Sequence, residues 1–192
     1  MLKLRRILFF VFCVCMTGRI SAQQKPAACP WQFHSINNVG LLEGETGSAF
    51  QLQSINGMQY RSWYMGIGLG LDFYRYRTIP LFLDIRKEFG SGPNKFFAYA
   101  DGGVNFAWLT DNEKTLYLTD DHFNAGFYTD LGLGYKIGLG KTNHLLLSLG
   151  YSLKKLKETY QAYYYLPPDN ALDKEHIDYN LNRLTIKIGW EF

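Results

Sequence analysis

Between residues 63 and 73 the chain alternates without a fault. Trp63, Met65, Ile67, Leu69, Leu71 and Phe73 are large and apolar, while Tyr64, Gly66, Gly68, Gly70 and Asp72 stand between them. A period of two puts the two sets on opposite faces of a β-strand. The C-terminal stretch repeats the pattern, with Leu184, Ile186, Ile188, Trp190 and Phe192 on the even positions up to the last residue. The same rhythm predicts strands at about 34–43, 48–55, 79–88, 95–109, 122–139, 144–157 and 178–192. The first is weak, because Ile36 does not share the parity of Val39 and Leu41. Turn chemistry separates the strands at Gly44-Glu45-Thr46-Gly47, Asn56-Gly57, Gly90-Ser91-Gly92-Pro93-Asn94 and Gly140-Lys141-Thr142-Asn143. The connections at 110–121 and 158–177 are longer. The count is eight strands, all antiparallel if each returns beside the last.

The two faces differ in kind. One carries the bulk of the leucines, isoleucines and phenylalanines. The other is rich in glycine and carries Asp72, Asp84, Arg86, Glu88, Asp101, Asp130, Lys136, Lys154, Lys187 and Glu191. A soluble barrel turns its apolar face inward, but an eight-stranded barrel has room inside only for modest side chains. A lipocalin-like soluble barrel would therefore leave much greasy surface in water. The reverse arrangement works in lipid. The bulky face meets hydrocarbon, closure of the sheet satisfies every backbone group, and the enclosed charges pair. The inner glycines are expected to make room for those charges. Trp63, Trp108, Trp190 and Phe192 fall near strand ends, where interfacial aromatic girdles belong. The expected fold is all-β: an eight-stranded antiparallel up-and-down transmembrane β-barrel over residues 34–192.

Composition agrees, with 14 Tyr, 14 Phe and 19 Gly among 192 residues and no long apolar run beyond the N-terminus. Lys3, Arg5 and Arg6 precede a short apolar core at 7–16, and Ser21-Ala22-Gln23 follows, which is the layout of a cleaved signal peptide over residues 1–22. Its removal takes four basic residues and leaves 16 basic against 17 acidic, so nothing in the charge points to nucleic acid. Cys13 and Cys15 leave with it, and Cys29 alone cannot form an internal disulfide. Pro26 occupies the place where a lipidation signal wants an aliphatic residue, so Cys29 reads as a free thiol. With Pro26 and Pro30, residues 23–33 read as a flexible lead-in.

The signal peptide, the eight amphipathic strands and the terminal Trp190-Glu191-Phe192 together resemble the small eight-stranded outer-membrane barrels of the OmpA and OmpX kind. Residues 21–23 and 76–84 are similar to the outer-membrane β-barrel domains of Bacteroidota, PorT-like proteins among them. The resemblance implies a cell outer-membrane location, outer-membrane lipid as the surroundings, the periplasmic and outer-membrane assembly machinery as partners, and a monomer.

Chemistry is sparse. Gly138-Leu139-Gly140-Lys141-Thr142 imitates a phosphate loop, but Tyr135 stands where its first glycine belongs and a strand follows where a helix should start. The acidic residues Asp169, Asp173, Glu175 and Asp178 lack the spacing of a calcium loop. No catalytic, cofactor-binding or metal residue is nominated, and no cofactor is implied. The expected role is structural or surface-interacting rather than enzymatic. Loops 110–121 and 158–177 would meet an extracellular or envelope protein partner, helped by Tyr160, Tyr163, Tyr164 and Tyr165, which could equally extend the strand above the membrane. Two alternatives stay open. One is a lipid-modifying enzyme using His122 beside Asp120 and Asp121, and the other is a narrow solute channel.

Overall fold

A computed structural model of the chain describes residues 30–108, 119–140, 142–163 and 172–192, with the backbone alone described at 119–123, 160–163 and 172–175. Nine strand segments follow in order: β1 (Trp31–Gly44), β2 (Gly47–Tyr60), β3 (Trp63–Asp72), β4 (Thr78–Phe89), β5 (Lys95–Ala107), β6 (Thr119–Asn124), β7 (Gly126–Gly138), β8 (His144–Tyr163) and β9 (Leu172–Glu191). Only Ala125 separates β6 from β7, and both pair with β8, so the two segments are one stave of an eight-stave sheet. Every pairing is antiparallel between neighbours in the chain, and β9 returns to β1 to close the barrel.

The register fixes the stagger. A walk across the hydrogen bonds from Glu191 passes Ile36, Ile55, Gly68, Phe82, Gly103, Tyr128 and Lys154, and returns to β9 at Leu181, ten residues higher. That offset goes with staves tilted by roughly 40° and an interior that side chains can fill.

The alternation places the side chains as the pattern requires. Phe50, Ile67, Leu83, Phe96, Leu133, Leu149 and Ile188 are all more than half exposed on the outer wall. Inside, Ile36, Ile55, Tyr64, Phe82, Phe97, Tyr99, Tyr128 and Leu146 form a buried cluster between the charges. Lys87 Nζ sits 4.5 Å from the Trp63 ring at the end where the C-terminus lies, and the Arg77 guanidinium 5.5 Å from Trp108 at the other. Cations over interfacial tryptophans mark both rims of the apolar wall.

Four expectations need correction. Asn56-Gly57 is not a turn but lies inside β2, where a Cβ on Gly57 would stand 2.2 Å from the Met65 carbonyl oxygen. The turn comes at Arg61-Ser62, with Arg61 itself in the left-handed region at φ 56°. The glycine there serves close approach of β2 to β3, which dipeptide statistics do not register. Secondly, β1 begins at Trp31 rather than 34, because Trp31, Gln32 and Phe33 pair with Tyr60, Gln59 and Met58. Thirdly, most of 158–177 is strand, since β8 and β9 stay in register from His144↔Glu191 to Tyr163↔Leu172. Loop 110–121 is shortened likewise by β6; residues 110–118 and 164–171 lie outside the described residues.

The fourth concerns the inner glycines. A Cβ on Gly68 would stand 2.3 Å from the Phe82 ring, and one on Gly134 would stand 2.2 Å from that of Phe97. These glycines are sockets for aromatic rings rather than space for charges.

Candidate functional site

All ten charged residues assigned to the inner face from sequence are buried inside the barrel. They form three layers along its axis, and each layer draws its members from staves on different sides of the tube.

The layer nearest the C-terminus centres on Lys136. Its ammonium donates to Glu88 at 2.7 Å and to Glu191 at 2.6 Å, joining β4 to β9 through β7. Lys95 adds a second donor to Glu88 at 2.8 Å, and His34 Nδ1 stands 3.1 Å from Glu191. His144 Nδ1 is 3.8 Å from the same carboxylate oxygen. A mouth of about 470 Å³ opens below this layer, lined by His34, Lys95, Lys136, His144 and Phe192 among others.

The middle layer begins with an apparent liability. Asp84, Asp101 and Asp130 are direct cross-strand neighbours on β4, β5 and β7. Like charges so placed repel. Arg86 neutralises one end of the row, donating to both Asp84 oxygens at 2.9 Å. Lys187 crosses from β9 to the other end, 3.0 Å from Asp130 and 3.7 Å from Asp101. The Tyr99 hydroxyl donates to Asp130 at 3.0 Å, and the Tyr128 hydroxyl receives Gln51 and Gln53 at 3.2 and 3.0 Å. Aromatic faces complete the cation sites. Arg86 lies 5.5 Å from the Phe97 ring centre and 5.7 Å from that of Tyr99, while Lys187 lies 4.3 Å from Tyr99. Fixed partners and ring faces replace the water lost by Asp84, Asp130 and the two cations, while neither Asp101 oxygen finds a hydrogen-bond donor among the described residues.

The third layer closes the opposite end. Asp72 is wholly buried and holds two cations, Arg183 and Lys154, the latter at 3.2 Å. Arg183 also donates to Ser152 at 2.7 Å. Lys154 donates further to the carbonyls of Tyr74 at 2.9 Å and Tyr76 at 3.1 Å, which draws the β3–β4 connection inward over the lumen. Tyr74 then packs with Leu42 and Leu181 as an apolar cap, and its hydroxyl receives the Thr46 N–H at 2.9 Å. Charged networks below and the tyrosine cap above fill the tube, so a solute could pass only by breaking several buried pairs.

Sequence reasoning missed two members. Arg183 shares the odd-numbered row of Thr185, Lys187 and Glu191, so parity alone could have found it. Glu158, buried and receiving the Tyr179 hydroxyl at 2.7 Å, was hidden by its assignment to a loop. The described part of the nominated segment 158–177 is the end of the β8–β9 ribbon. Outward residues of the ribbon's lower part are apolar (Leu147, Leu149, Leu184, Ile186), then become Lys155, Lys157, Asn182, Asn180 and Asp178, all exposed. Thr159 and His176 meet across it at 2.9 Å. β6 pairs with its β8 edge, His122 opposite Thr159. The side chains of His122, Tyr160 and Tyr163, and the whole of Tyr164 and Tyr165, lie outside what is described.

No family model and no curated protein matches the chain. Solved structures do match in shape. Neisserial surface protein A aligns over 84% of this chain and 96% of its own, at 12% identity and a TM-score of 0.54. The outer membrane protein OprG from Pseudomonas aeruginosa aligns over 83% of this chain and 95% of its own, at 13% identity and a TM-score of 0.54. The fold is thus that of the small eight-stranded outer-membrane barrels. The narrower likeness to Bacteroidota and PorT-like domains finds no support in these comparisons.

Proposed function

We propose that the protein is an integral barrel of the cell outer membrane, structural or surface-interacting in type, whose contact surface is the upper half of the β8–β9 ribbon with β6 at its side. The observation that carries this reading is the switch in outward residues along the ribbon. A transmembrane strand needs ~9–11 residues, yet β8 and β9 each run for 20. The apolar part of their outward face ends at Leu153 and Leu184, and the paired strands continue with Lys155, Lys157, Asn182, Asn180 and Asp178 on that face while Leu156 and Leu181 stay buried on the other. Pairing that continues beyond the apolar wall builds a stiff platform where a mere link would need only a turn. The filled lumen argues against a general pore. The fold, the apolar wall and the signal-peptide pattern support the outer-membrane location and an outward-pointing ribbon.

Two measurements test this. In a Cys29→Ser background, Asn180→Cys on whole cells should react with a membrane-impermeant maleimide, and Lys136→Cys should not. Purified protein in planar bilayers should show no stable conductance. An unreactive position 180 would refute the surface platform, and steady ion currents would favour the channel reading instead.

A further inference from the structure

Among the described residues the outer wall carries a polar cluster on β1 and β2. Ser35 pairs across the strands with Asn56, and Asn37 with Ser54. All four have the outward parity of Val39, Leu41, Leu52 and Met58, although Ser35 is buried by its neighbours and Ser54 is half-buried. Asn37 and Asn56 are exposed. The residues beside them on neighbouring staves are apolar, Trp190 next to Asn37 and Ile67 and Leu69 next to Asn56 and Ser54. The patch therefore lies within the hydrophobic wall and above the rim formed by Phe33, Tyr60 and Trp63. Neither asparagine amide has a side-chain partner among the described residues. A carboxamide facing hydrocarbon is costly unless it is hydrogen-bonded, and asparagine and serine join membrane segments for that reason.

We propose that this wall is where a second copy of the chain packs, forming a two-fold dimer in the membrane. Two copies inserted in the same direction are related by an axis along the membrane normal. An axis running between β1 and β2 sets β1 of one copy against β2 of the other at equal depth. With the staves tilted as they are, a step to the next stave climbs about one residue's rise. Asn37 thus lies at a depth between those of Ser54 and Asn56, and in the dimer it faces both. The set is self-complementary, because each amide carries both donors and an acceptor and no net charge needs an answer. A shallow apolar groove of about 510 Å³ adjoins the patch, bordered by Val39, Leu52, Leu69 and Ile79, and it gives room for the partner's side chains. The proposal departs from the monomer expected from the resemblance to small barrels.

The test uses the mature chain refolded in lipid vesicles, in a Cys29→Ser background. Asn37→Cys treated with a short bismaleimide should give a band of twice the monomer mass, and Leu133→Cys, on the opposite wall, should not. The double variant Asn37→Leu, Asn56→Leu should lower the dimer fraction at least tenfold on lipid dilution. It should keep the fast, heat-modifiable gel mobility of a closed barrel, which separates loss of dimer from loss of fold. Equal cross-linking at positions 37 and 133, a product of any other mass, or undiminished dimer in the double variant would each overturn the proposal.

Discussion

The two halves of β9 share one backbone and one partner strand, yet they solve opposite problems. From Arg183 to Glu191 the inward row is Arg183, Thr185, Lys187 and Glu191, and the outward row is Leu184, Ile186, Ile188 and Trp190. Polarity faces in and grease faces out, the inverse of a soluble sheet. Above Arg183 the order reverses, with Leu181 buried beneath the cap and Asn182, Asn180 and Asp178 exposed. The lower half is therefore shaped by hydrocarbon outside and paired charge inside. The upper half has water outside and obeys ordinary rules. One strand changes its code where its solvent changes.

The largest break in that contrast should come from inside. Among the described residues Asp72 is the carboxylate that answers both Lys154 and Arg183, and all three are wholly or almost wholly buried. Asp72→Leu leaves two enclosed cations without their carboxylate, and should lower stability by about 3–5 kcal/mol in urea unfolding from lipid vesicles. Retention of full stability would mean that the layer is wet. Next comes the outer wall. Ile186→Arg, near mid-wall, should cost about 2–4 kcal/mol by the same assay. A steric break is somewhat smaller: a Cβ on Gly126 would stand 1.7 Å from the Lys155 carbonyl oxygen, so Gly126→Ala must displace β8. It should cost about 1–3 kcal/mol and lower the temperature at which the gel band shifts. The smallest effect sharpens the comparison. Asn182→Arg, one outward position above Leu184, should change stability by only about 0–1 kcal/mol, since it lies beyond the hydrocarbon.

Much of this was legible beforehand because a period of two is a strong signal wherever one face is uniformly apolar. The ten inward charges and the outward rows of β3, β5 and β9 follow from it directly. Ile36 spoiled the parity of β1 because it belongs to the interior cluster, a placement that its hydrophobicity argues against. The upper ribbon escaped notice for a related reason. Beyond Lys157 and before Asp178 the residues are mostly polar on both parities, as in Asp173-Lys174-Glu175-His176, so the alternation fades and only the register of β8 against β9 reveals the strands. The Asp84–Asp101–Asp130 row was likewise invisible as a unit, because its members approach only through pairing of three staves. Nor could the sequence tell that inner glycines serve rings. That depends on which aromatic lies across the neighbouring strand.

The most direct measurement is a spin-label scan along β9, from position 178 to 188, in the refolded protein in lipid bilayers with Cys29 replaced by serine. Labels at 184, 186 and 188 should relax strongly with dissolved oxygen and weakly with a water-soluble nickel complex. Those at 185 and 187 should respond weakly to both, and those at 178, 180 and 182 should respond to nickel. Nickel accessibility at 184, 186 and 188 equal to that at 180 would place the apolar wall in water and contradict the membrane barrel.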